Sequence, residues 1–146
     1  MEERKKWDER YLNVQIIEQN DGEGFVWFYV QTPKPPIAVI WQRDAVVKAF
    51  RIDDYEVNKS LVVATSVDHE SYPPGQGGWT ELVRATNYIT ASLVEPHPSG
   101  QGVLMTEIRS TDLNGNVPEA AVYQMSRWAP SMNYKVWNNR YKQLTA

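Results

Sequence analysis

The chain changes its hydrophobic period at Pro118, and that switch constrains the fold more than any other feature. Before it, apolar residues recur at every second position in short runs divided by turn signals. After it, Val122, Met125, Ala129, Met132 and Val136 recur at spacings of 3, 4, 3 and 4. The first pattern belongs to half-buried strands and the second to one face of a helix. Strands followed by a long helix make an α+β domain, with the helix laid on one face of a curved sheet.

The strand segments can be read in order. LNVQII (12–17) and FVWFYVQT (25–32) flank the turn signal NDGEG at 20–24 and form a hairpin. PKPP at 33–36 stops any strand, because proline cannot donate to a ladder. The apolar run IAVIW (37–41) then leads into a strand over 43–51, and IDDY (52–55) turns the chain into a strand over 56–68. PPGQGG (73–78) is a loop, 80–96 a long strand, HPSGQG (97–102) a turn and 103–112 the last strand. Every connection is short enough for a hairpin, so about six strands form an antiparallel sheet. Pro118 suits a helix first turn, and Pro130 predicts either a kink or a second helix starting there.

With 146 residues, 42% of them hydrophobic and 23% charged, the chain suits one globular domain over 1–146 with a real core. A net charge of −3 gives no support to nucleic-acid binding. The absence of Cys excludes a disulfide scaffold, a thiol nucleophile and a Cys-based zinc site. No apolar run approaches the roughly 20 residues that span a bilayer. The charged start MEERKKWDERY is no signal peptide, so a cytoplasmic protein is expected.

Nothing in the sequence demands catalysis. His69 and His97 lie beside loop signals, and HExxH, GxSxG and P-loop patterns are absent. Asp53, Asp54, Asp112 and Glu119 fall near turns and a helix start, where carboxylates serve as caps. The expectation is a non-enzyme with no catalytic residues, metal or cofactor.

One charge stands out. In WQRDAVVKAF (41–50), period-two spacing puts Arg43 on one face with Ala45, Val47 and Ala49. A buried arginine needs a partner, since its desolvation costs several kcal/mol. Two readings stay open: Arg43 reaches water or pairs with a carboxylate at the strand end, or it meets the polar head of a ligand inside an apolar tunnel. The IAVIW run also has two readings, a segment tucked into the core or an exposed lid that touches a membrane.

From KKWDERY onward the chain resembles the START lipid-transfer domain family. The resemblance is carried by Trp7-Asp8, by Arg43-Asp44 in QRDAVV, and by SVDHESYPP (66–74) followed by LVRATNY (82–88). It continues through LVEPHP (93–98), TDLNGNVPEAAV (111–122) and WAPSMNYKVWNNR (128–140). It implies a helix-grip fold, with a tunnel between sheet and C-terminal helix that holds one lipid or sterol. It makes Arg43 the family's tunnel arginine, and the acidic residue that commonly faces it aligns near Asn13. It also implies a START-like domain lacking the family's N-terminal portion, so that an unpaired sheet edge favours a homo-oligomer.

The resulting expectation is non-catalytic binding, and transfer, of a lipid, sterol or other apolar ligand. Its pocket is lined by Arg43, Ala45, Val47, Ala49, Val83, Ala85, Asn87, Ile89, Met125 and Met132, with Arg43 and Asn87 as the polar contacts. Pro35, Pro36, Ile37, Ala38, Val39, Ile40 and Trp41 form the lid and make transient membrane contact. The alternative is a protein-interaction module or domain fragment without a functional tunnel. Space between sheet and helix filled by Trp27, Tyr29 and Trp128 would favour that alternative.

Overall fold

The alternating segments pair almost in chain order. The computed structural model describes residues 4, 6–20, 25–32, 41–74 and 82–145. The strands are β1 (Asn13–Asn20), β2 (Phe25–Gln31), β3 (Gln42–Asp54), β4 (Lys59–Ser66), β5 (Leu82–Arg84), β6 (Thr86–Pro96) and β7 (Val103–Asp112). The helix α1 spans Glu119–Thr145. One curved sheet runs β1-β2-β3-β4-β6-β7, antiparallel throughout, and β5 adds a short parallel pairing to the start of β3.

Three irregularities reset the alternation. The long strand expected over 80–96 is divided at Ala85, whose N–H donates to the Asp44 carbonyl of β3 at 2.8 Å. The sheet therefore has seven strands, one more than the turn count gives, and it is not wholly antiparallel. A bulge between Asn87 and Ile89 inserts an extra residue opposite β7, which moves the following side chains to the other face. A second bulge lies between Ile16 and Glu18, where the alternation of LNVQII ends.

The register defines an inner face. Val30 pairs with Ala45, Phe28 with Val47 and Val26 with Ala49, and Ala49 pairs onward with Ala64. Val14, Phe28, Val30, Ala45, Val47, Ala49 and Ala64 form the buried cluster, with Tyr11 and Val26 packed against it. The outer face carries Trp27 against His69, centroids 5.5 Å apart, and Tyr29 stacked on Tyr72 at 5.1 Å. The β3–β4 turn closes with Asn58 at φ 53°, while the Asp54 carboxylate accepts from the N–H groups of Glu56 and Val57.

The helix is a single element that continues through Pro130, so the second-helix alternative does not occur. Pro118 starts it, its carbonyl accepting from the N–H groups of Ala121 and Val122. Among the described residues, no helix Cα comes within 8 Å of a strand Cα. No helix of the described residues is long and apolar enough to cross a membrane.

Candidate functional site: a groove between sheet and helix

Hydrogen bonds tie the helix and the turn that precedes it to the sheet at two places. At the helix N-terminal end the connection from β7 turns through Asn114 (φ 51°) and Gly115 (φ 69°), a left-handed pair that positions the helix start. Arg43 pins this turn. Its Nε–H donates to the Leu113 carbonyl at 2.8 Å and Nη2–H to the Asn114 carbonyl at 2.9 Å, while Nη1–H donates to the Trp41 carbonyl. Asn114 itself donates through Nδ2 to the Arg84 carbonyl at 2.9 Å and to Thr86 Oγ1 at 3.0 Å.

Arg43 is 6% exposed, and its partners are three main-chain carbonyls, with no carboxylate among them. Burial lowers its pKa from the usual value, yet a guanidinium keeps its charge. The neighbouring Asp44 pairs with a different arginine, Arg84. Asp44 is buried on the opposite face, held by Arg84 Nε at 2.9 Å and Nη2 at 3.0 Å. Burial first, and then the Asp44 charge, raise the Tyr29 phenol above its ordinary pKa.

At the other end, Arg4, Trp7, Asp8 and Arg10 tie the helix to the sheet. Asp8 is 0% exposed. Its carboxylate accepts from Arg4 Nε at 2.8 Å, Arg10 Nε at 2.7 Å and Arg10 Nη2 at 2.6 Å. Burial works to raise the Asp8 pKa, but the hydrogen bonds and charges of Arg10 and Arg4 hold it below the usual carboxylate value. Arg10 also donates to Asn133 Oδ1 on the helix, and Asn133 Nδ2 reaches Glu107 Oε1 on β7 at 3.4 Å. Trp7 lies 5.1 Å from Trp137, centroid to centroid, and the Arg140 guanidinium sits 5.6 Å from the Trp7 ring. The role of Asp8 is not marked by any motif; its signal in the sequence is the spacing of Arg4 and Arg10 around it.

Between these clamps the helix side chains stay largely uncovered. Val122 is 43% exposed, Trp128 48% and Met132 49%, and Met125 and Val136 are half-buried. Trp27 and Tyr29 lie on the outer face, across the sheet from the buried cluster, so they do not fill the groove.

The sequence-derived site residues divide into groups. Ala45, Val47 and Ala49 share the buried inner face of β3. Val83 packs beside Arg43 at the Gly115 turn, where a Cβ on Gly115 would lie 3.6 Å from Val83 Cγ1 and 3.8 Å from Arg43 Nη2. Ala85 is buried and lines a separate cleft of about 230 Å³ with Val46, Ser66, Arg84 and Thr86, to which no helix residue contributes. Asn87 lies on the inner face, but its amide is engaged: Oδ1 accepts from Thr90 and Thr111, and Nδ2 donates to the Ala64 carbonyl. Ile89 falls on the outer face, because the bulge breaks the period-two count that grouped it with Val83 and Ala85. Trp41 is 54% exposed, whereas Pro35, Pro36, Ile37, Ala38, Val39 and Ile40 lie outside the described residues.

Comparisons with known proteins agree on one family. The START domain family model matches residues 1–146. Human StAR-related lipid transfer protein 7, mitochondrial, is 30% identical over 101 residues, covering 67% of this chain and 25% of that protein. Human StAR-related lipid transfer protein 13 is 31% identical over 119 residues, 82% of this chain and 10% of that one. The solved structure of human StAR-related lipid transfer protein 5 superposes with a TM-score of 0.83 at 27% identity, covering 98% of this chain and 65% of that one. The chain thus spans a quarter of the length of the first of these relatives.

Proposed function

The chain belongs to the START domain family, and from that premise we propose that it binds one lipid, sterol or other apolar molecule in the groove between sheet and helix, without catalysis. The observation that carries this reading is the half-exposed apolar face of the helix. A helix tied to the sheet at the Asn114 turn and at Asn133 leaves Met132 49% and Trp128 48% exposed. In water such a surface stays uncovered at a cost of about 25 cal/mol per Å², and a ligand chain that covers it recovers that free energy. The relatives are named as lipid transfer proteins, which agrees with this chemistry.

Ala45, Val47 and Ala49 form the sheet wall of the proposed site, and Met125 and Met132 the helix wall. Methionine suits a pocket for flexible chains because its thioether adapts to irregular surfaces. Arg43 uses three of its five N–H groups on carbonyls, and the remaining two are the proposed contact for a polar head. Trp41 and the preceding run from Pro35 are the proposed lid and membrane-touching edge. Transfer follows if the lid opens on a membrane surface.

A vesicle assay tests the proposal. Donor vesicles carrying a fluorescent phospholipid or sterol with a quencher should lose their label to the protein in a saturable, equimolar manner. If neither lipid class is extracted by the folded protein, the reading fails and the interaction-module alternative takes its place.

A further inference from the structure

We propose that Asn114–Gly115 is a deamidation site that the fold holds shut, and that its conversion fixes the helix start in a released state. Asn114 is followed by Gly, whereas every other Asn of the chain is followed by a residue with a side chain. Gly115 has no Cβ to hinder its main-chain nitrogen, and it is exposed. The reaction needs only water. The Gly115 nitrogen attacks the side-chain carbon Cγ of Asn114 and gives up its proton to solvent. One C–N bond forms and closes a five-membered imide. The bond from Cγ to Nδ2 breaks, and that nitrogen takes up a proton and leaves as ammonia. Water then opens the imide at either carbonyl, giving aspartate or isoaspartate.

The structure opposes the first step. Asn114 Nδ2 donates to the Arg84 carbonyl at 2.9 Å and to Thr86 Oγ1 at 3.0 Å, which holds the side-chain amide on the sheet. Arg43 grips the Leu113 and Asn114 carbonyls at 2.8 and 2.9 Å, which fixes the plane of the Asn114–Gly115 peptide. The N–H of Val117 donates to the Gly115 carbonyl at 3.0 Å. Ring closure therefore waits until the turn lets go of the sheet. The product does not latch again. A carboxylate has no N–H for the Arg84 carbonyl and sets its charge against that oxygen. Isoaspartate adds one main-chain carbon to the turn that Arg43 grips. Either product leaves the helix start less well held. This inference is independent of the proposed lipid site.

Peptide mass spectrometry of the full chain, incubated at mildly alkaline pH, follows the conversion. One hydrogen bond of typical strength protects about fivefold, and two about thirtyfold. The folded chain should therefore deamidate at Asn114 about thirtyfold slower, or more, than the same chain in guanidinium chloride. Thr86→Val removes one of the two side-chain bonds and should speed the folded rate about fivefold, with no change in guanidinium chloride. Thr86→Ser keeps the hydroxyl and should keep the native rate. Asn114→Asp should raise amide hydrogen exchange over the first turns of the helix. A folded rate equal to the unfolded one, Thr86→Val reacting at the native rate, or native-like exchange in Asn114→Asp would overturn the proposal.

Discussion

The Nη2–H of Arg43 donates to the carbonyl of Asn114 at 2.9 Å, tying the start of β3 to the turn that launches the helix. The same guanidinium holds the carbonyls of Leu113 and Trp41. The arginine is therefore an anchor with three main-chain partners, and its position on an apolar face follows from that task. Any headgroup contact is an addition to this role.

Arg43→Ala should destabilise the fold by about 3 kcal/mol or more, because it strips hydrogen bonds from three carbonyls at once. Arg43→Lys should recover only part of this, since an ammonium cannot reproduce the planar fork. Urea midpoints check both. A solvated strand-end arginine would shift the midpoint little in either variant.

Asp8 predicts the acid limb of stability. Its pKa is lower in the folded state than in the unfolded one, so the unfolded chain takes up the proton first. The stabilising contribution is complete above the unfolded value of about 3.9 and is lost as pH falls through the folded value. Urea titrations over that acid range should show stability falling with pH in the native chain. Asp8→Asn should show a flatter profile and lower stability at neutral pH. Equal slopes for the two would remove Asp8 from the account.

Asn87→Ala should destabilise by about 1–3 kcal/mol, because Thr90, Thr111 and the Ala64 carbonyl all lose a partner. The effect should appear without any ligand, as a lowered melting temperature of lipid-free protein. A variant that melts like the native chain but binds lipid poorly would return Asn87 to the list of ligand contacts.

Met132→Asp should reduce lipid uptake strongly while changing stability by no more than about 0.5 kcal/mol. The side chain is 49% exposed, so its replacement leaves no core cavity, yet a charge in the groove meets the ligand chain. Paired melting curves and vesicle extraction assays separate the two effects.

Much of this was legible in the sequence, and the rest was hidden for identifiable reasons. The bounds 103–112 for β7 follow directly from flanking turn residues, and the face shared by Arg43, Ala45, Val47 and Ala49 follows from strict alternation. Ile89 was misplaced because a bulge carries no compositional mark in RATNYIT, and one extra residue inverts every later side chain. The division at Ala85 was hidden likewise, since an alanine continues a strand pattern as readily as it breaks one. The partners of Arg43 could not be read at all: carbonyls belong to every residue, so only the fold selects those of Trp41, Leu113 and Asn114. Pro130 permitted a break, but a helix held at Asn133 and Trp137 by Arg10 and Trp7 tolerates one missing N–H.

The central claim is that the groove between sheet and helix holds an apolar ligand. Native mass spectrometry of the purified chain, followed by lipid extraction and identification, tests it most directly. The account predicts a bound lipid at one molecule per chain, released on unfolding and absent from Met132→Asp. Native protein exposed to membrane lipids and recovered without any bound lipid would contradict it.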